Sequence, residues 1–227
     1  MAAPAPETGR APVNGLQLYY EIHGAGEPLV LLHGGLGGIA MMAPLLPLLA
    51  ARRRVIALDL QGHGHTPDIA RPLRFERLAD DVAGLLAHLG IAAADLVGFS
   101  LGGGAALRCA IQHPDAVRRL VLISAPFRRD GWYPEVLEAM AQMGPAAAES
   151  MRQGPLRQIY PDVDWAALLT KQWDLLGRDY DWSQEVAGLA APTLLVFADA
   201  DSVRTAHALE FFALLGGGQR DAGLDGS

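Results

Sequence analysis

Ser100 sits between Gly98 and Gly102, in the stretch Gly98-Phe99-Ser100-Leu101-Gly102. An apolar run, Ala94-Asp95-Leu96-Val97, precedes it, and a helical pattern from Gly103 to Ile111 follows. Glycines two residues either side of a serine leave room for a sharp strand–turn–helix bend that thrusts the hydroxyl out of the sheet. A hydroxyl so placed can attack an acyl carbon. The N–H of Leu101, at the start of the helix, points where the oxyanion of that attack would form. Serine is a weak nucleophile until a neighbouring base takes its proton, so the chemistry also asks for a histidine and a carboxylate.

The surrounding pattern supplies elements that could position such a group. Val13-Asn14-Gly15-Leu16 has a tight-turn signal followed by alternation to Ile22, the start of an antiparallel hairpin. Pro28–Leu32, Arg54–Asp59, Ala94–Val97, Val117–Ile123 and Pro192–Phe197 are short apolar runs of the buried-strand kind. Residues 40–51 can be helical, interrupted by Pro44 and Pro47. Phe75, Leu78, Val82, Leu85, Leu86 and Leu89 recur at helical spacing, and a further helix is expected from about Arg204 to Leu215. Buried strands alternating with amphipathic helices predict an α/β fold with a mostly parallel sheet covered on both faces. Residues 126–186 break the alternation and hold all four tryptophans, which suggests a helical lid lining an apolar acyl pocket. The expected organisation is a flexible tail over 1–12, a core over 13–125, the lid over 126–186, more core over 187–215 and a flexible tail over 216–227.

Composition narrows the function classes. A chain of 227 residues fits one α/β domain. Its net charge of −7 and single lysine, Lys171, leave no basic stripe for nucleic acid. No apolar run reaches the roughly 18 residues of a membrane span. Residues 1–12 lack the basic start and apolar core of a secretory leader, so a cytoplasmic location is expected. The lone Cys109 excludes an intramolecular disulfide and falls within the expected helix as a small core residue. His63-Gly64-His65 lies on a glycine-rich turn that would clamp a metal poorly. Neither a metal nor a cofactor is expected.

Four motifs in order, each at the end of an expected strand, resemble the α/β-hydrolase family: His33-Gly34-Gly35, Asp59-Leu60-Gln61-Gly62-His63-Gly64-His65, Gly98-Phe99-Ser100-Leu101-Gly102-Gly103 and Ala198-Asp199-Ala200-Asp201. They span nearly the whole chain. The resemblance implies that Ser100 is the nucleophile, that the N–H groups of Gly35 and Leu101 form the oxyanion hole, and that Asp201, with Asp199 as competitor, is the acid orienting the base. It implies a serine esterase acting on small carboxylic esters through an acyl-enzyme, with serine at the bend arguing against chemistry that uses aspartate there. Lactonase, perhydrolase, C–C hydrolase and acyltransferase activities share the same machinery.

The base departs from the family pattern. The family's histidine follows one more strand after the acid, whereas residues 216–227 are polar and glycine-rich, with no histidine. The expectation is that the last strand, the histidine loop and the final helix are absent and that this chain is weakly active or inactive. None of His23, His33, His63, His65, His88, His113 or His207 has an obvious place beside Ser100. A missing last strand would also leave residues 193–197 as an apolar sheet edge, open to self-association.

Two rival readings remain. A non-catalytic binding protein on the same fold needs no base. A dinucleotide-binding oxidoreductase is suggested by Gly35-Leu36-Gly37-Gly38-Ile39-Ala40, which fits G-x-G-x-x-A, with Asp59 about 20 residues on. His33 directly before those glycines and the bend at Ser100 argue against it.

Overall fold

The computed structural model describes residues 5–143 and 145–218. Asn14 and Gly15 both take positive φ, 50° and 84°, the geometry of a two-residue hairpin turn whose twist matches its strands. They join β1 (Glu7–Val13) to β2 (Leu16–His23), paired antiparallel from Val13↔Leu16 to Glu7↔Ile22. Residues 7–12, expected in a flexible tail, are therefore strand. Ala11 turns inward, and Pro12 is tolerated because β1 is an edge.

Five strands follow: β3 (Pro28–Leu32), β4 (Arg54–Leu58), β5 (Ala94–Phe99), β6 (Val117–Ile123) and β7 (Thr193–Val196). The sheet order is β1-β2-β4-β3-β5-β6-β7, with β2 antiparallel to β4 and the rest parallel. The chain leaves β3 toward β4 on one side and returns to β5 on the other. The loops after β3 and β5 therefore part at a topological switch point, where open α/β sheets bind ligands.

Alternate residues of the strands feed two cores. On one face Val30, Leu32, Ile56, Leu58 and Leu96 pack with α2 (Phe75–His88) and α3 (Leu101–Gln112). On the other, Leu29, Leu31, Val55 and Ala57 meet the 3-10 turn Ile39–Met42 and α1 (Leu46–Ala50). Pro44 and Pro47 split the expected helix there into those two short pieces.

Between β6 and β7 run α4 (Pro134–Gln142), α5 (Pro145–Gln153), α6 (Pro155–Ile159), α7 (Trp165–Leu176) and α8 (Ser183–Ala187). Asp164 caps α7, its Oδ1 accepting from the N–H groups of Ala166 and Ala167. After β7 comes α9 (Thr205–Leu214). Gly216, at φ 84°, closes it: its N–H donates to Ala213 O and that of Gly217 to Phe212 O. The start of the expected 216–227 tail is thus a helix cap, and residues 219–227 lie outside the described residues. No described helix is long and apolar enough to cross a membrane.

Among the described residues β7 is a sheet edge. Its Leu194 and Val196 stand beside Val121 and Ile123 of β6 on one face and remain 58% and 39% exposed. We propose that this apolar edge drives self-association. Light scattering should show apparent mass rising with concentration, and a Leu194→Lys/Val196→Lys pair should suppress the rise, since lysine is a common edge protector. A wild-type chain that stays a monodisperse monomer at high concentration would overturn this.

Candidate active site

Ser100 joins β5 to α3 with φ 51° and ψ −114°. A non-glycine residue in that region is strained by about 1–3 kcal/mol and persists only where its surroundings over-determine it. Here the Ser100 N–H donates to Ile123 O at 2.9 Å, and its carbonyl accepts from Gly104 N–H at 3.0 Å. The flanking glycines let backbones meet without side chains. A Cβ on Gly102 would lie 2.5 Å from His33 O and 2.6 Å from Leu32 O, and one on Gly103 would lie 2.5 Å from Ala125 Cβ. A Cβ on Gly98 would collide with the Gly102 carbonyl. The glycines thus seat the first turn of α3 directly on the end of β3.

Ser100 is half-buried, and among the described residues its Oγ has no hydrogen-bond partner. Leu101 follows as the first residue of α3, whose opening N–H groups have no acceptor within the helix and whose dipole favours negative charge. Ser100 and Leu101 line a cavity of about 30 Å³ together with Gln172 and Leu176 of α7 and Met140 of α4. That space holds one or two waters. No charged side chain lines it.

The glycine loop after β3 abuts this turn. Gly34 packs on the Phe99 ring, and Gly35 lies against the Gln172 carboxamide, where a Cβ would not fit. Three polar contacts hold the loop. His33 Nε2 accepts from Leu60 N–H at 3.0 Å, so its proton is on Nδ1, 2.7 Å from Gly34 O. Asp59 Oδ1 accepts from Ile39 N–H at 2.7 Å. The Tyr160 hydroxyl, arriving after α6, accepts from Ala40 N–H at 2.9 Å. Asp59 Oδ2 takes the N–H and Nδ1 of His65, at 2.8 and 3.2 Å. Fully buried, with both oxygens engaged, Asp59 is closed to a ribose hydroxyl. This removes the contact on which the dinucleotide reading depends.

Asp201 lies at the end of the adjacent strand pair. Its Oδ2 accepts from Ser124 Oγ at 2.7 Å and Ala198 N–H at 3.0 Å, and its Oδ1 from Val203 N–H at 2.9 Å. Asp199 is exposed, and among the described residues it bonds only the neighbouring Ala200 N–H. Ser124 was not among the sequence-derived candidates, although it ends β6 as Ser100 ends β5 and shares its φ of 51°.

All seven histidines are among the described residues, and none donates to or accepts from Ser100 Oγ. His23 pairs with Glu21, and His113 with Asp80. His88 closes α2, its ring 6.5 Å from that of Tyr20. His207 is buried against the Phe127 ring, its Nε2 accepting from Phe127 N–H, and burial pushes it down to about 4. His63 Nδ1 donates to Gln61 O, and burial pushes that ring down to about 4, as it pushes His33 down to about 3.

A family model described as alpha/beta hydrolase fold matches residues 27–146. "Putative carbamate hydrolase RutD" of Azorhizobium caulinodans is 30% identical over 206 residues, covering 82% of this chain and 78% of that protein. "2-hydroxymuconate semialdehyde hydrolase" of Pseudomonas sp. (strain CF600) is 42% identical over 127 residues, covering 53% of this chain but only 44% of that protein. Among solved structures, the enol-lactonase from Burkholderia xenovorans LB400 superposes with a TM-score of 0.74 at 26% identity, covering 90% of this chain and 87% of that one.

The two buried imidazoles beneath the glycine loop make stability pH-dependent. His33 and His63 are neutral in the fold, with values below the unfolded value near 6.5. Their contribution is therefore fully present above pH 6.5 and is lost as pH falls, because only the unfolded chain takes up protons. With His207 pushed down likewise, the three groups together lower stability by about 4 kcal/mol between pH 7.5 and 5.5. Urea unfolding at the two pH values should show this, and His63→Asn should remove about a third of it. Equal midpoints at both pH values would contradict the neutral buried pair.

Proposed function

The chain belongs to the alpha/beta hydrolase fold family, and on that premise we propose that it cleaves small, uncharged carboxylic esters through an acyl-enzyme on Ser100. The observation that carries this reading is the strained, half-buried Ser100 at the mouth of α3, beside a small cavity without charged walls. Ser100 Oγ attacks the acyl carbon, and the electron pair of the C=O bond moves onto oxygen. The N–H groups of Leu101 and Gly35 receive that oxyanion, each such donor being worth about 10²–10³ in rate. Collapse expels the alcohol, and water later releases the acid. A carbamate and a lactone, named for two of the relatives, also present a carbonyl carbon to a nucleophile, which supports the same chemistry.

The proton of Ser100 is the weak point. With no histidine on Oγ, the 227-residue chain should turn over slowly, since losing the triad histidine of a serine protease costs about 10⁶ in turnover. Asp201, in its proposed role, holds an imidazole in one tautomer. Two oxygens offer about four acceptor sites, and three protein donors leave one for a ring N–H. The bare hydroxyl would equally suit a non-catalytic binding protein on this fold. Labelling of Ser100 by a fluorophosphonate would exclude that alternative.

Free imidazole separates these cases. Hydrolysis of p-nitrophenyl acetate is followed with and without imidazole, in the wild-type chain and in Ser100→Ala, whose rate gives the solution background. The Ser100-dependent rate should rise roughly tenfold or more and saturate, below the ceiling of about 10²–10⁴ that a positioned base supplies. Asp201→Ala should weaken the rise. Identical imidazole responses in wild type and Ser100→Ala would refute Ser100 as nucleophile.

A further inference from the structure

Leu36, in the middle of the glycine loop, takes φ 58°. A leucine in that left-handed region is strained and persists only where its surroundings over-determine it. Little inside the loop does so. Among the described residues no carbonyl or side chain accepts from the Gly35 N–H, which leaves it free for an oxyanion. The loop is held at its two ends instead. His33 fixes the near end on Leu60. Two consecutive amides fix the far end, Ile39 N–H on Asp59 Oδ1 and Ala40 N–H on the Tyr160 hydroxyl.

The two far anchors differ in origin. Asp59 directly follows β4 and belongs to the sheet. Tyr160 comes from the helical segment between β6 and β7, 120 residues after Ala40. Its side chain is buried, with the ring edge-on to His65 and the centroids 5.1 Å apart. Phenylalanine would fill the same space, so packing does not account for the hydroxyl. The loop is shaped to that oxygen: a Cβ on Gly38 would lie 2.6 Å from it. Tyr160 lies outside the Ser100 cavity. Its path to the site runs through the loop, in which Ala40 follows Gly35 by five residues.

We propose that Tyr160 is a positioning residue for the oxyanion hole. By holding Ala40 N–H, its hydroxyl keeps the Gly35 N–H aimed at the Ser100 turn, so the segment between β6 and β7 completes a site whose reacting groups lie elsewhere. The inference rests on the ester-cleaving reading of Ser100. Without the hydroxyl, Ala40 N–H loses its acceptor and the far end keeps one anchor of two. Leu36 then relaxes from its strained φ and turns the Gly35 N–H with it. A misplacement of about 1 Å can cost about 10² in rate, and losing such a donor outright costs about 10²–10³. Asp59 still holds Ile39, so the expected loss is about tenfold.

Tyr160→Phe in the full chain keeps the ring and deletes the oxygen. Ser100-dependent hydrolysis of p-nitrophenyl acetate at saturating imidazole should lose about tenfold in kcat with KM unchanged, because Tyr160 touches the loop and not the cavity. Amide NMR should show Ala40 exchanging about tenfold faster, Gly35 with a lower order parameter and Leu101 unchanged. Trp173→Phe is the control. It deletes the 2.8 Å bond from Nε1 to Met143 O within the same segment and should leave kcat as it is. A kcat for Tyr160→Phe within about twofold of wild type overturns the proposal. So does a rise in KM in step with the fall in kcat, an unchanged Gly35 amide, or an equal fall in Trp173→Phe. The amide measurement needs no turnover, so the two readings fail separately. A chain that hydrolyses esters through Ser100 while Gly35 is undisturbed in Tyr160→Phe loses only the positioning role. A chain whose ester hydrolysis survives Ser100→Ala loses the hydrolase reading, and a loosened Gly35 in Tyr160→Phe then still supports Tyr160 as the anchor of the loop.

Discussion

The contact on which the rest depends is one of backbone on backbone. Gly102 brings the first turn of α3 to within a missing Cβ of the Leu32 and His33 carbonyls. That approach joins the ends of β3 and β5, which the sheet order places side by side where the chain changes direction. Without it, the turn at Ser100 would have no reason to hold φ 51°, because one hydrogen bond to Ile123 and one from Gly104 do not by themselves fix a strained serine. The glycine loop also depends on it, since His33 is both the end of this contact and the anchor to Leu60.

From that contact outward, polarity decreases in an ordered way. Beneath the loop, Asp59 satisfies its oxygens on Ile39 and His65 and holds no ligand-facing valence. At the loop, the Tyr160 hydroxyl accepts from Ala40 N–H and so ties the helical segment between β6 and β7 to the core. In the cavity itself no charged side chain lines the walls. Fully satisfied groups stiffen a site. The support beneath the loop is thus polar, while the cavity walls carry no charge.

The fold was largely legible because its strands are short apolar runs and its bends carry glycine where only glycine fits. β1 was not, because Glu7-Thr8-Gly9-Arg10-Ala11-Pro12 has little strand propensity of its own. It is strand because β2 offers a full register of partners beyond the Asn14-Gly15 turn. The sharp bend at Ser100 was legible from local spacing. Ser124 was not, since its role comes from Asp201, which is distant in sequence. Gln172 had a signal, one polar residue on an apolar helical stripe, but spacing alone does not say what it faces.

Ser124 also explains how Asp201 stays in place with no imidazole on it. The ends of β5 and β6 repeat one geometry: Ser100 N–H donates to Ile123 O, Ser124 N–H donates to Val196 O, and both serines sit at φ 51°. The first hydroxyl is left free at the cavity, while the second donates to the carboxylate. With two backbone N–H donors added, Asp201 is held by three hydrogen bonds. Aim and activation are thus separable properties of this site. The carboxylate, the strained serine and the helix start are in position with no imidazole on them, held by backbone contacts and, at Asp201, also by the Ser124 hydroxyl.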